Sequence, residues 1–174
     1  YGMLARASMG SEQLGLALAR WCRHHGLLAD DIRLTLTQED GLATLAIEEL
    51  STLGAMREFC LLSVLRNIHG LASWFIDEPL PLRRACFPFD PPPHAGVYAL
   101  LFPPGEVEFG AARACLQFDA RFLDMPLTRD EPALQRMLQR ALPLQVRPYR
   151  RDRLLVQRVR QLLAADAECL QTAD

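Results

Sequence analysis

Residues 32–48, IRLTLTQEDGLATLAIE, constrain the fold more than any other stretch of this chain. Ile32, Leu34 and Leu36 alternate with Arg33, Thr35 and Thr37. After Glu39-Asp40-Gly41, Ala43, Leu45 and Ile47 alternate with Leu42, Thr44, Ala46 and Glu48. Successive side chains of a strand point to opposite faces, so each run has one apolar edge and one polar one. Asp-Gly tolerates the positive φ values that a tight hairpin turn demands. The segment therefore predicts an antiparallel hairpin whose apolar face must be covered by another layer.

Helices supply that layer. Residues 55–76 place Met56, Phe59, Cys60, Leu61, Val64, Leu65, Ile68, Leu71, Ala72 and Phe75 around most of a helix. Only a narrow polar stripe of Ser63, Arg66, Asn67, Gly70 and Ser73 remains. A helix apolar over most of its circumference sits centrally in a domain. Leu14, Leu18, Trp21 and Cys22 recur at helical spacing behind Ser11, read as the N-cap, and Gly26 ends that helix. Asp130 caps another, with Glu131 and Pro132 in its first turn. Its apolar face is Ala133, Leu134, Met137, Leu138, Ala141 and Leu142, and Pro143 is its stop.

Leu82–Phe87, Val107–Phe109 and Ala114–Phe118 read as short strands, and 94–102 as a short helix after the DPPP break at 90–93. Hairpins mixed with helices, without βαβ crossovers or a phosphate loop, predict an α+β fold: helices packed on a mainly antiparallel sheet, followed by a C-terminal linker helix.

That last helix is RPYRRDRLLVQRVRQLL, 147–163, with Leu155, Val159, Leu162 and Leu163 on one face. Residues 1–139 hold 12 Arg against 17 acidic residues, a balance of -5. Residues 140–160 hold 7 Arg and one Asp, a balance of +6, and 161–174 carry -3, within a net charge of -2. The positive charge is thus gathered into one segment. A solvated helix face explains it without a partner; contact with phosphates is the functional alternative. No complete nucleic-acid-reading element follows it.

At 174 residues, half of them hydrophobic, the chain has globular composition and length for a core. The five cysteines, Cys22, Cys60, Cys86, Cys115 and Cys169, show no CxxC and no paired spacing. They read as reduced small hydrophobes of a cytoplasmic protein. No signal peptide opens the chain and no apolar run is long enough to span a membrane. The first residue is Tyr1 rather than Met, so the chain is read as a fragment or a processed product.

Signals for chemistry are sparse. Cys22 and His25 form the only suggestive metal pair, and a helix-end histidine is the simpler reading, so no metal is expected. No cysteine or serine sits in a nucleophile elbow. The acid pairs 30–31, 39–40 and 48–49 lie at strand ends, where solvated charge suffices. No catalytic residue and no cofactor are assigned, and an enzyme is not expected. An enzyme with a Cys, His or carboxylate site in an apolar pocket is kept as the rival reading.

Trp21 and Trp74 lie on inward helical faces, where core packing is the first reading and a pocket wall the second. Arg57, Glu58 and Tyr98 are polar groups close to apolar surface. A pocket needs only a few convergent polar groups among apolar walls. Trp21, Arg57, Glu58, Trp74 and Tyr98 are therefore the candidate ligand-binding residues, for a site between the hairpin's inner face and the central helix.

Residues 107–138, VEFGAARACLQFDARFLDMPLTRDEPALQRML, carry a resemblance. Val107, Phe109-Gly110-Ala111, Arg113, Leu116, Phe118-Asp119, Leu123-Asp124 and Pro126-Leu127 match in order a run in the N-terminal, arabinose-binding-like domain of AraC/XylS-family transcriptional regulators, in the subgroup that includes ornithine-utilisation-type regulators. YGMLARASMGSEQLGLALARW resembles that family's opening, and the hairpin and REFCLLSVL follow in place. The family often has Asn where Ala114 stands, and WCRHHGLLADD is longer than the family's loop, so ligand identity does not carry over.

The resemblance implies an effector-sensing and dimerisation domain, 1–143, followed by a basic linker and the start of a truncated helix-turn-helix domain, 144–174. It implies a small-molecule metabolite as effector, a homodimer, promoter DNA bound through the absent C-terminal domain, and a bacterial cytoplasmic protein with no membrane segment. A dimerisation scaffold that has lost its ligand is the remaining alternative.

Overall fold

The computed structural model describes residues 1–139 and Tyr149. Helix α1 (Gly2–Met9) precedes α2 (Leu14–His25). Strands β1 (Ile32–Glu39) and β2 (Leu42–Glu49) form the hairpin. A 3-10 turn at Gly54–Met56 leads into α3 (Arg57–Phe75). Then come β3 (Leu82–Phe87), α4 (Gly96–Leu101), β4 (Glu106–Phe109), β5 (Cys115–Asp119), a 3-10 turn at Ala120–Asp124 and α5 (Glu131–Leu138).

One five-stranded sheet has the order β1-β2-β5-β3-β4. All neighbours are antiparallel except β3 and β4. The α+β expectation therefore holds for the described residues. The basic helix at 147–163, the boundary at 143/144 and the Ala141–Pro143 end of the last predicted helix lie outside them.

The hairpin forms as its alternation predicts. Glu39 faces Leu42 across Asp40 (φ 48) and Gly41 (φ 75). Two consecutive positive φ values define the turn whose twist suits a two-residue hairpin, and Asp-Gly reaches them at least cost.

The register then lines up whole rows across the sheet. Leu36, Leu45, Leu116, Ala85 and Val107 are successive cross-strand partners facing the core. One position along, Thr37, Thr44, Gln117, Arg84 and Glu106 form a polar row on the opposite face. The first face is packed against helices. The second carries exposed and half-buried groups, as an antiparallel sheet with one solvated side allows.

Helix α3 is the core's axis. Leu61, Leu65, Ile68 and Leu71 are fully buried in the same cluster as Leu14, Leu18, Leu45 and Phe118. Most of its polar stripe does not face water: Arg66, Gly70 and Ser73 are buried too, while Ser63 and Asn67 are half-buried.

Two local readings change. Ser11 does not cap α2; its hydroxyl donates to the Ser8 carbonyl. The helix starts at Leu14, whose N–H donates to Met125 O at 2.9 Å, so a distant backbone carbonyl takes the role of the cap. Helix α1, which has weak periodicity, was not foreseen. Asp130 does cap α5, accepting from Ala133 N at 2.8 Å.

Candidate effector site

Three polar clusters are spaced along α3, whose 19 residues span about 28 Å.

The first lies at its start. Arg57 donates through Nε and Nη2 to the two Glu49 carboxylate oxygens at 2.7 Å each, and through Nη1 to Pro88 O at 3.1 Å. It ties the end of β2 to the chain leaving β3. Glu58 Oε1 accepts from Tyr98 Oη at 2.6 Å and bonds His94 Nε2 at 2.7 Å. These bonds hold the Glu58 carboxyl below its usual range, Tyr98 contributing most. Burial, and then Glu58 itself, push the Tyr98 phenol up.

The Tyr98 ring is wholly buried, edge-on to Phe87 at 4.9 Å and Phe109 at 5.1 Å, with Phe89 at 6.4 Å. The cluster is an aromatic wall ending in a carboxylate that remains 38% exposed.

The second cluster lies at mid-helix. Trp21 and Tyr1 pack edge to face at 5.7 Å, and neither the Trp21 Nε1 nor the buried Tyr1 hydroxyl has a hydrogen-bond partner among the described residues. Arg66 is buried, lies in the electrostatic field of Tyr1, and donates from Nη1 to His69 Nδ1 at 3.1 Å. His69 Nε2 donates to Leu80 O at 2.8 Å. A guanidinium only donates and a carbonyl only accepts, which fixes His69 as the neutral tautomer protonated on Nε2. Ser73 Oγ donates to His69 O and accepts from Leu80 N, so α3 grips the approach to β3 at one residue.

The third cluster lies at the end of α3. The Arg129 guanidinium sits 5.4 Å above the Trp74 ring, and its Nε donates to Trp74 O at 2.8 Å. It also bonds Asp77 and, at 2.9 Å, Tyr149 Oη. Trp74 is a platform for this cross-link.

On the far side of the sheet, a depression of about 410 Å³ opens to solvent among Thr37, Thr44, Cys86, Arg113, Cys115 and Gln117. No described group of three or more His, Cys, Asp or Glu is placed to hold a metal.

The family model described as the arabinose-binding domain of AraC transcription regulators, N-terminal, matches residues 1–127. The chain belongs to that family. It is 28% identical over 165 residues to the ornithine utilization regulator of Pseudomonas aeruginosa, which covers 95% of this chain and 48% of that protein. The crystal structure of the transcriptional regulator CdpR from Pseudomonas aeruginosa shares the fold, with a TM-score of 0.55 and 15% identity over 92% of this chain and 54% of that one. The chain thus spans about half the length of the proteins it matches.

In this AraC-family domain the 107–127 run turns out to be mainly architectural. Gly110 takes a φ of 72 after β4. Asp119 accepts from Arg121 N to start the 3-10 turn. Pro126 bridges to Gln13, and Leu127 N donates to Glu12 O, which seats α2. Of its polar members, Arg113 and Gln117 line the far-side depression.

Of the sequence candidates, Glu58 and Tyr98 meet directly, while Arg57, next to Glu58 in the chain, bonds Glu49 and the Pro88 carbonyl. Trp74 stands about 24 Å along the same helix from Glu58, and Trp21 packs with Tyr1 beside the mid-helix cluster. The five do not share one cavity. The space between the hairpin's inner face and α3 is filled by one buried cluster. Sequence reasoning missed His94 as the Glu58 partner and Arg129 as the Trp74 partner, because no local pattern links residues 36 and 55 positions apart.

No described helix is long and apolar enough to cross a membrane.

Proposed function

We propose that this chain is the effector-sensing part of a cytoplasmic, dimeric transcription regulator, and that DNA is bound by a helix-turn-helix domain outside it. The single observation behind this reading is the family match over residues 1–127, together with a length about half that of the matched regulators. The chain then works by binding rather than by catalysis. Its effector acts only through unequal affinity for two states of the domain.

The effector site is best supported at the start of α3. A half-exposed carboxylate on an aromatic wall suits a small molecule bearing an ammonium group, which Glu58 would pair with while the half-buried Phe89 and Phe109 supply ring faces and Tyr98 holds the carboxylate from behind. The incoming cation would take the place of His94. Basic amino acids are such molecules, and one of them appears in the name of the Pseudomonas relative.

The test is thermal unfolding with basic amino acids, diamines, carboxylic acids and fatty acids. A true effector at 100 Kd adds about 2.7 kcal/mol to the native state. Glu58→Gln should abolish that shift for amines. A shift by carboxylic acids alone, unaffected by Glu58→Gln, overturns the site. The filled interior favours a second reading, a ligand-free dimerisation scaffold, and a panel that shifts nothing would favour it. The DNA part fails if the full-length product of the gene carries no helix-turn-helix motif.

A further inference from the structure

Cys86 on β3 and Cys115 on β5 are direct cross-strand partners in an antiparallel ladder. Opposed residues of such a ladder point to the same face with Cα atoms about 4.5–5.5 Å apart. A disulfide spans about 4.4–6.8 Å between Cα atoms, so the strands already hold this pair at bridging distance.

Both cysteines are free and 6% exposed. Their apolar neighbours on this face are the small residues Ala46 and Ala111. Both line the solvent-open depression on the far side of the sheet, so a small oxidant reaches them without unfolding the core.

The structure assigns Cys86 and Cys115 as a peroxide-oxidisable dithiol that closes into a cross-strand disulfide.

The two sulfurs have unequal roles. Cys86 hydrogen-bonds Cys115 and lies 3.8 Å from Glu108 Oε2, so it keeps its proton. That bond, then Arg113 and Arg84, favour the Cys115 thiolate. A thiolate in an electropositive, reachable place is what makes a cysteine reactive. Cys22 and Cys60 differ: burial pushes the first up to about 12 and also raises the second.

The chemistry balances with hydrogen peroxide as the oxidant. The Cys115 thiolate attacks one peroxide oxygen and the O–O bond breaks. This leaves a sulfenic acid and hydroxide, which takes the Cys86 thiol proton to become water. The Cys86 thiolate then attacks the Cys115 sulfur. The S–O bond breaks, and the departing hydroxide recovers from solvent the proton that Cys115 had lost. Two electrons leave the sulfur pair, one peroxide is reduced, and two waters form.

The experiment exposes the 174-residue chain to hydrogen peroxide, followed by alkylation and non-reducing peptide mapping. A peptide pair linked between 86 and 115 is expected, reversed by dithiothreitol. In Cys86→Ser, which cannot resolve the intermediate, dimedone should trap Cys115 as the sulfenic acid. In Cys115→Ser no adduct should appear at Cys86. The wild-type map needs no variant to fold, so its reading stands alone. The assignment is overturned if oxidation falls first on Cys22, Cys60 or Cys169, if the product is a disulfide other than 86–115, or if Cys115→Ser leaves Cys86 as reactive as Cys115 is in its partner variant.

Discussion

Acid should weaken this domain in a way that one residue, His69, makes measurable. Its ring is 5% exposed and placed between the Arg66 guanidinium and the Leu80 carbonyl. Burial holds its pKa down, from an ordinary 6.5 to about 4, and Arg66 adds to the effect, while the bond to Leu80 O works against it.

In the unfolded chain the same imidazole takes a proton near its ordinary value. Between about 6.5 and 4 the unfolded state therefore binds the proton and the native state does not, so stability falls as pH falls through that window. At about 1.36 kcal/mol per pH unit, the ceiling is about 3 kcal/mol. Between roughly pH 7 and 4.5, about 2 kcal/mol of it is realised.

The assay is urea unfolding across that range for the native chain and for His69→Gln. Glutamine is neutral, offers an amide donor for Leu80 O and an oxygen for Arg66, and does not titrate. The variant should lose the His69 component and keep the slope due to carboxylates and to His25, whose pKa burial also lowers. His69→Asn repeats the measurement should the glutamine variant misfold. Equal pH slopes in native and variant protein would refute the reasoning.

Leu65→Ala, at a site with no exposure, should cost about 2–5 kcal/mol in the same urea assay. Asp130→Ala should cost about 1 kcal/mol, because Ala133 N loses its acceptor, and Asp130→Asn should restore most of it.

Much of the fold was legible wherever a local pattern was redundant. The hairpin carried both a period of two and Asp-Gly, and it formed with Leu34 opposite Ile47 and Leu36 opposite Leu45. The α3 segment was apolar nearly all round and became the core's axis. Asp130 sat just before Glu131-Pro132 and capped α5 as expected.

Ser11 had the right side chain for a cap, but Met125 O reached Leu14 N first, and no window along the sequence contains both residues. The polar stripe of α3 was visible as a pattern, yet its burial was not. Whether Arg66 meets water or His69 depends on what packs over it. The candidate site divided along the same line. Arg57 and Glu58 are adjacent in sequence but take different partners, Arg57 meeting Glu49 and Glu58 meeting Tyr98 through the β3–α4 connection. Trp21 and Trp74 look equivalent on their helical faces, yet they lie at different levels of α3.

By itself, then, the sequence determined the period of each element, the sign and position of its charge, and a run specific enough to mark the family. Those are properties of neighbours along the chain, within reach of a few dihedral angles. The tertiary structure alone decided which face of the sheet is covered, and which carboxylate meets Tyr98. It also decided that two cysteines with no spacing pattern stand opposite each other on adjacent strands. Strand order and register are set by how the apolar rows pack. A shift of one residue would carry Cys115 to the other face of the sheet and separate it from Cys86.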